Sequence, residues 1–188
     1  MKDVIYSVVD TETTGLDAKY NQIIDIAVVS IKNGKIINTY ETLVNPGRKI
    51  PDYITMYTGI DNNMVEDAPN FSEISYKLKD LIDRTVIVAH NALFDLRFLN
   101  QEFKRTNLVL KTDYLCTLNT CRKLYPNLER YNLDILTKHF NIQIKNRHTA
   151  LGDAQATAEL FLKIRKENKL IWSIANTRLV RGLNKVYK

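Results

Sequence analysis

The sequence predicts one mixed α/β domain in which three antiparallel strands open a sheet that helices cover on both faces. Three observations carry this. Alternating, β-branched segments at residues 4–10, 23–31 and 35–44 follow one another, the last two joined through Asn33-Gly34. A short apolar run, Val86-Ile87-Val88, stands between two segments with helical spacing. A further helical pattern closes the body at residues 153–166. Alternation marks half-buried strands, Asn-Gly favours a tight hairpin turn, and a bare apolar run marks a strand covered on both sides.

In chain order, residues 4–10, 23–31 and 35–44 are the first three strands, and Asn45-Pro46-Gly47 ends them. Residues 51–70, with Pro51, Gly59 and Pro69, read as irregular connection containing one helical turn. Phe71, Ile74, Leu78, Leu81 and Ile82 recur at the three-to-four spacing of an amphipathic helix over residues 71–84. Residues 85–89 form the buried strand, and Leu96, Leu99 and Phe103 mark a helix over 95–105. A strand at 111–115 and helices at 118–124 and 133–140 follow. Ala154, Thr157, Ala158, Phe161 and Leu162 give the helix at 153–166 its packing face.

With 188 residues, 45% of them hydrophobic, the chain is long enough to fold around one core without disulfides or metals. No apolar run approaches the roughly 20 residues of a membrane span, and the N-terminus lacks a signal-peptide pattern, so a cytoplasmic protein is expected. Cys116 and Cys121 have no second pair to complete a zinc site and read as buried reduced thiols. The net charge of +6 is concentrated at one end: residues 161–188 hold eight Lys and Arg against Glu167 alone, while residues 1–160 are near neutral. We expect residues 1–168 to form the domain and residues 169–188 a basic helical extension. In that extension Trp172, Ala175, Leu179, Leu183 and Val186 share one face, and Arg178, Arg181, Lys185 and Lys188 the other. Such a basic stripe suits a polyanion, and nucleic acid is the commonest one.

Asp10 and Glu12 sit two apart at the end of the first strand, so their carboxylates project from one face while Thr11 points away. Side by side they repel, and a divalent cation would neutralise them. Asp95 follows the apolar strand, where it could also cap the next helix. Asp153 falls about one turn into a helix starting near Thr149, with His148 just before it. Imidazole titrates near pH 6.5 and can accept a proton from water at neutral pH. Four carboxylates converging without metal would be strongly destabilising. Two Mg²⁺ or Mn²⁺ ions relieve that repulsion and form a device for in-line attack on a phosphodiester.

Three motifs, Val9-Asp10-Thr11-Glu12-Thr13-Thr14-Gly15-Leu16, Ala89-His90-Asn91-Ala92-Leu93-Phe94-Asp95 and His148-Thr149-Ala150-Leu151-Gly152-Asp153-Ala154, resemble those of the DEDDh 3′–5′ exonucleases. That superfamily includes the proofreading exonucleases of DNA polymerase III. Thr58-Gly59-Ile60 and Asn132-Leu133-Asp134-Ile135-Leu136 are weaker matches, and the likeness spans residues 4–166. The resemblance implies a ribonuclease H-like fold and metal-dependent release of nucleoside monophosphates from DNA 3′ ends. It implies Asp10, Glu12, Asp95 and Asp153 as metal ligands, with Asp95 acting mainly through water, and His148 as general base. Thr13, Leu16, Thr58, Asn91 and Phe94 match positions that line the pocket for the terminal nucleotide. A DNA polymerase or repair partner is implied as well. Two departures stand out: Thr58 where stand-alone proofreading subunits carry His, and Cys116-Thr117 where relatives commonly carry Asp-Thr. The alternatives are an exoribonuclease of the same superfamily and, from another class, a nucleic-acid or polymerase-binding module without catalysis.

Overall fold

The computed structural model describes residues 4–168. The basic extension expected at 169–188 lies outside the described residues. Strands β1 (Ile5–Thr13), β2 (Ile23–Lys32) and β3 (Lys35–Leu43) form an antiparallel meander, and β4 (Val86–Ala89) and β5 (Asp113–Cys116) add on parallel to β1. The spatial order is β3-β2-β1-β4-β5. Asn33 and Gly34 both take left-handed φ (53° and 76°), as the tight turn between β2 and β3 requires.

Helices α3 (Phe71–Ile82) and α4 (Leu93–Arg105) cover one face of the sheet, and α7 (Ala150–Glu167) covers the other. Strand alternation sorts the core accordingly. Val9, Ile26 and Val28 pack with α3 and α4, whereas Tyr6, Val8, Ala27 and Val29 pack with α7. Ala150, Ala154 and Ala158 recur every four residues on the side of α7 that meets the sheet. Their small side chains let the helix lie close to β1. Helices α5 (Thr117–Leu124) and α6 (Leu133–His139) pack behind α7 through Cys121, Leu133, Leu136 and Leu160.

The structure differs from the sequence expectation in four places that bear on the site. β1 runs on to Thr13, because β2 keeps pairing with it as far as Ile23, so Asp10 and Glu12 lie within the strand. Residues 51–70 hold two short helices, α1 (Asp52–Thr58) and α2 (Asn62–Val65). Pro51 opens α1, Gly59 closes it with φ 77°, and Asp61 accepts a hydrogen bond from Met64 N to start α2. α4 begins at Leu93, so Asp95 lies inside its first turn and is no N-cap. α7 begins at Ala150, capped by Thr149, whose hydroxyl accepts from Gly152 N. Cys116 and Cys121 are free and buried, as expected, and burial pushes the Cys121 thiol up to about 12. Among the described residues no helix is long and apolar enough to cross a membrane.

Candidate active site

The two-residue period of β1 sends Asp10 and Glu12 to the α7 side and Thr11 to the α4 side. The close approach of α7 then brings Asp153 up to them. Asp10, Glu12 and Asp153 each offer a carboxylate oxygen, and the three lie within 4.8 Å of one another. Asp95 enters from the opposite side. It is buried, and its Oδ1 accepts a hydrogen bond from the Thr11 hydroxyl at 2.9 Å. The residue pointing away from the carboxylate pair therefore anchors the fourth acid.

Burial and mutual repulsion hold these groups toward their protonated forms. Asp10 is raised well above the usual carboxylate range, by burial first and then by Asp95, Asp153 and Glu12. Burial, then Asp153 and Asp25, pushes Glu12 up to about 8. Burial takes Asp95 to about 7, and it also raises Asp153 although Arg147 beside it pulls the other way. Asp153 Oδ1 is buried with no hydrogen-bond partner. A set of oxygen donors this close, with one buried lone-pair oxygen unsatisfied, fits a hard divalent cation.

His148 stands beside Asp153 at the entry to α7 in a left-handed backbone conformation, φ 64°. Its ring lies against Tyr57, with centroids 4.5 Å apart and planes at 51°. Gly152 makes the arrangement possible. A Cβ there would overlap the carbonyl oxygens of Lys145 and Asn146, so only glycine lets the loop carrying His148 lie against the first turn of α7.

The expected pocket residues lie on β1, the β1–β2 loop, α1 and the start of α4. Leu16 projects from the β1–β2 loop and is 87% exposed. That loop is pinned to α4 by Arg105, which donates to the carbonyls of Ala18, Lys19 and Asn21. Asn91, φ 62°, and Phe94 stand at the start of α4, Phe94 half-buried against Phe98. Thr13 donates to Gly15 O, and the buried Thr58 donates to Ile54 O while accepting from Ile60 N. Both hydroxyls are thus engaged within the protein.

Four residues near the centre carry no role in the sequence reading. Asp25 is paired with Glu12 across the β1–β2 ladder, and its Oδ2 accepts from Ala150 N, fastening the start of α7 to β2. Burial pushes it up to about 6. Tyr57 supports His148. Asp134 and Arg147 form an ion pair that also reaches Asp153. Adjacency to Thr58 and His148 was the available signal for Tyr57 and Arg147. Asp25 had none, since the β1–β2 register is set by tertiary pairing.

The chain matches the RNase_T family model, described as Exonuclease, over residues 7–161. It is 43% identical over 159 residues to a protein named DNA polymerase III PolC-type from Caldanaerobacter subterraneus subsp. tengcongensis, covering 85% of this chain and 11% of that one. The chain thus spans about a ninth of the length of that polymerase. A solved structure of exonuclease X, in complex with 5′ overhanging duplex DNA, superposes with a TM-score of 0.73 at 29% identity, covering 87% of this chain and 93% of that one. Exonuclease I shares the fold, with a TM-score of 0.82 at 18% identity over 93% of this chain and 43% of that chain. Fold, acidic centre and family model agree: the chain belongs to the RNase_T exonuclease family, whose members work with divalent metals.

Proposed function

We propose that this chain is a 3′–5′ exonuclease that removes nucleoside monophosphates from DNA ends, in the setting of a DNA polymerase or of repair. The observation that carries the reading is the trio Asp10, Glu12 and Asp153 within 4.8 Å, with Asp153 Oδ1 buried and unpartnered. Asp10, Glu12 and Asp153 would hold one divalent cation, Mg²⁺ or Mn²⁺, and Asp10 with Asp95 a second, Asp95 through water. Bound there, such ions would acidify a water molecule and offset the charge that builds on the phosphate.

The remaining work falls to the chain's own side chains. His148 accepts the proton of the attacking water at its imidazole, with Tyr57 fixing the ring. Thr11 holds Asp95 in place. Leu16, Phe94 and Asn91 offer apolar and polar contacts to the terminal nucleotide, with Thr13 and Thr58 shaping the walls behind them. The polymerase relatives and the DNA held by exonuclease X favour DNA as substrate. Bacterial replication is cytoplasmic, and the same compartment is proposed. Residues 1–168 would carry the chemistry, and the basic residues 169–188 would add contacts to the phosphate backbone.

The test is a time course on 5′-labelled single-stranded DNA and RNA of one sequence, with Mg²⁺ or EDTA, beside Asp10→Ala. A metal-dependent ladder shortening from the 3′ end of DNA, absent in the variant, is expected. Faster shortening of RNA would keep the mechanism and move the substrate to RNA. No cleavage of either strand would overturn the reading in favour of a binding module.

A further inference from the structure

Arg147 reaches the acidic centre through Asp153, and its contacts are directional. Nε donates to Asp134 Oδ1 at 2.6 Å and Nη2 to Asp134 Oδ2 at 3.2 Å, a two-pronged grip on one carboxylate. Nη1 donates to Asp153 Oδ2. Asp134 is itself fixed in the first turn of α6, where Asn132 caps the helix by accepting from Ile135 N. The other Asp153 oxygen, Oδ1, is the buried atom without a partner.

We propose that Arg147, anchored by Asp134, is a positioning residue that grips Asp153 through Oδ2 and so presents Oδ1 to the cation it shares with Asp10 and Glu12. The inference rests on the metal site proposed above. Charge alone does not account for the arrangement. Arg147 lowers Asp10, Glu12 and Asp153, so by charge alone it would compete with a cation for the trio, and Asp134 offsets part of that at Asp153. What the pair adds is orientation: a carboxylate held through one oxygen has lost the rotamer freedom that binding a cation would otherwise have to remove. A planar guanidinium can span two carboxylates in this way, whereas an ammonium cannot reproduce the fork.

The test is Mn²⁺ affinity of the full-length chain by electron paramagnetic resonance, for wild type, Arg147→Ala, Arg147→Lys and Asp134→Asn. Each variant should bind Mn²⁺ about 10–100-fold more weakly. The Arg147→Ala/Asp134→Asn double variant should be no worse than Arg147→Ala, and methylguanidinium in solution should restore much of the affinity to Arg147→Ala. Unchanged or tighter binding by Arg147→Ala, with wild type binding normally, would overturn the positioning role and leave the metal site standing. Full affinity in Arg147→Lys would also overturn it, since charge would then suffice. Failure of wild type to bind Mn²⁺ would overturn the metal site and this inference together.

Discussion

Asp10 and Glu12 reach the proposed active site on a strand, whereas Arg147 and His148 reach it on a loop. β1 is laddered to β4 as far as Val8 and to β2 through Asp10 and Glu12, and its side chains emerge at a fixed period. The loop before α7 has no ladder behind it. Asn146 and His148 both take left-handed φ, the loop depends on Gly152 for room, and Asp134 and Tyr57 hold its side chains from neighbouring helices. The strand end of the site is held by the β2 ladder and burdened with repelling carboxylates. The loop end is backbone-strained and rests on a few specific contacts. Substitutions at the two ends should therefore separate activity from stability in different ways.

At the loop end the largest effect is expected from His148→Ala, which removes the proposed base without touching the carboxylates. Turnover should fall by about 10²–10⁴-fold in single-turnover kinetics, with Mn²⁺ affinity within about threefold of wild type. Wild-type turnover would take the proton-accepting role away from His148.

Gly152→Ala attacks the backbone of the same end. The added methyl collides with two carbonyl oxygens, so thermal unfolding should show a loss of about 1–3 kcal/mol, with turnover falling as the loop is displaced. A variant as stable and active as wild type would show that the loop can shift without moving His148.

The smallest effect belongs to the strand end and appears as a dependence on pH. Glu12 is raised from 4.5 to about 8, so the folded protein holds a proton there that the unfolded chain has already released. Stability from such a group is complete below the unfolded value and is lost as pH rises through the folded one. His90 shifts the other way, lowered from 6.5 to about 4 by burial, but its effect is confined to pH below about 6.5. Between pH 6.5 and 8.5 the metal-free protein should therefore lose about 1 kcal/mol or more, a fall in Tm of roughly 2–4 °C, and saturating Mg²⁺ should flatten the slope. A Tm that rises over this window would refute the charge-burdened strand end.

The element pattern was legible because it is written in local periodicity. The alternating strands, the Asn33-Gly34 turn and the spacing of Phe71, Ile74 and Leu78 each report on neighbours within a few residues. Residues 51–70 were harder to read, since α1 and α2 are too short to show a period and are defined by Pro51, Gly59 and Asp61 at their ends. The four acids and His148 were legible as a set because their residue types make little sense as packing. Asp134 stood only within a weaker motif match and Arg147 carried no reading, and only the fold shows Arg147 joining Asp134 to Asp153.

The sequence by itself determined the five strands, the five helices from residue 71 on, the projection of Asp10 and Glu12 to one face, and the exonuclease motifs, because all of these depend on short-range spacing. Only the tertiary structure decided that Thr11 would hold Asp95, that Asp25 would fasten α7 to β2, and that Arg147 would bridge Asp134 and Asp153. The first two join residues 84 and 125 positions apart, and the third joins a loop to two different helices. They depend on the strand register and on how closely an alanine-lined helix settles on the sheet, which local spacing cannot encode.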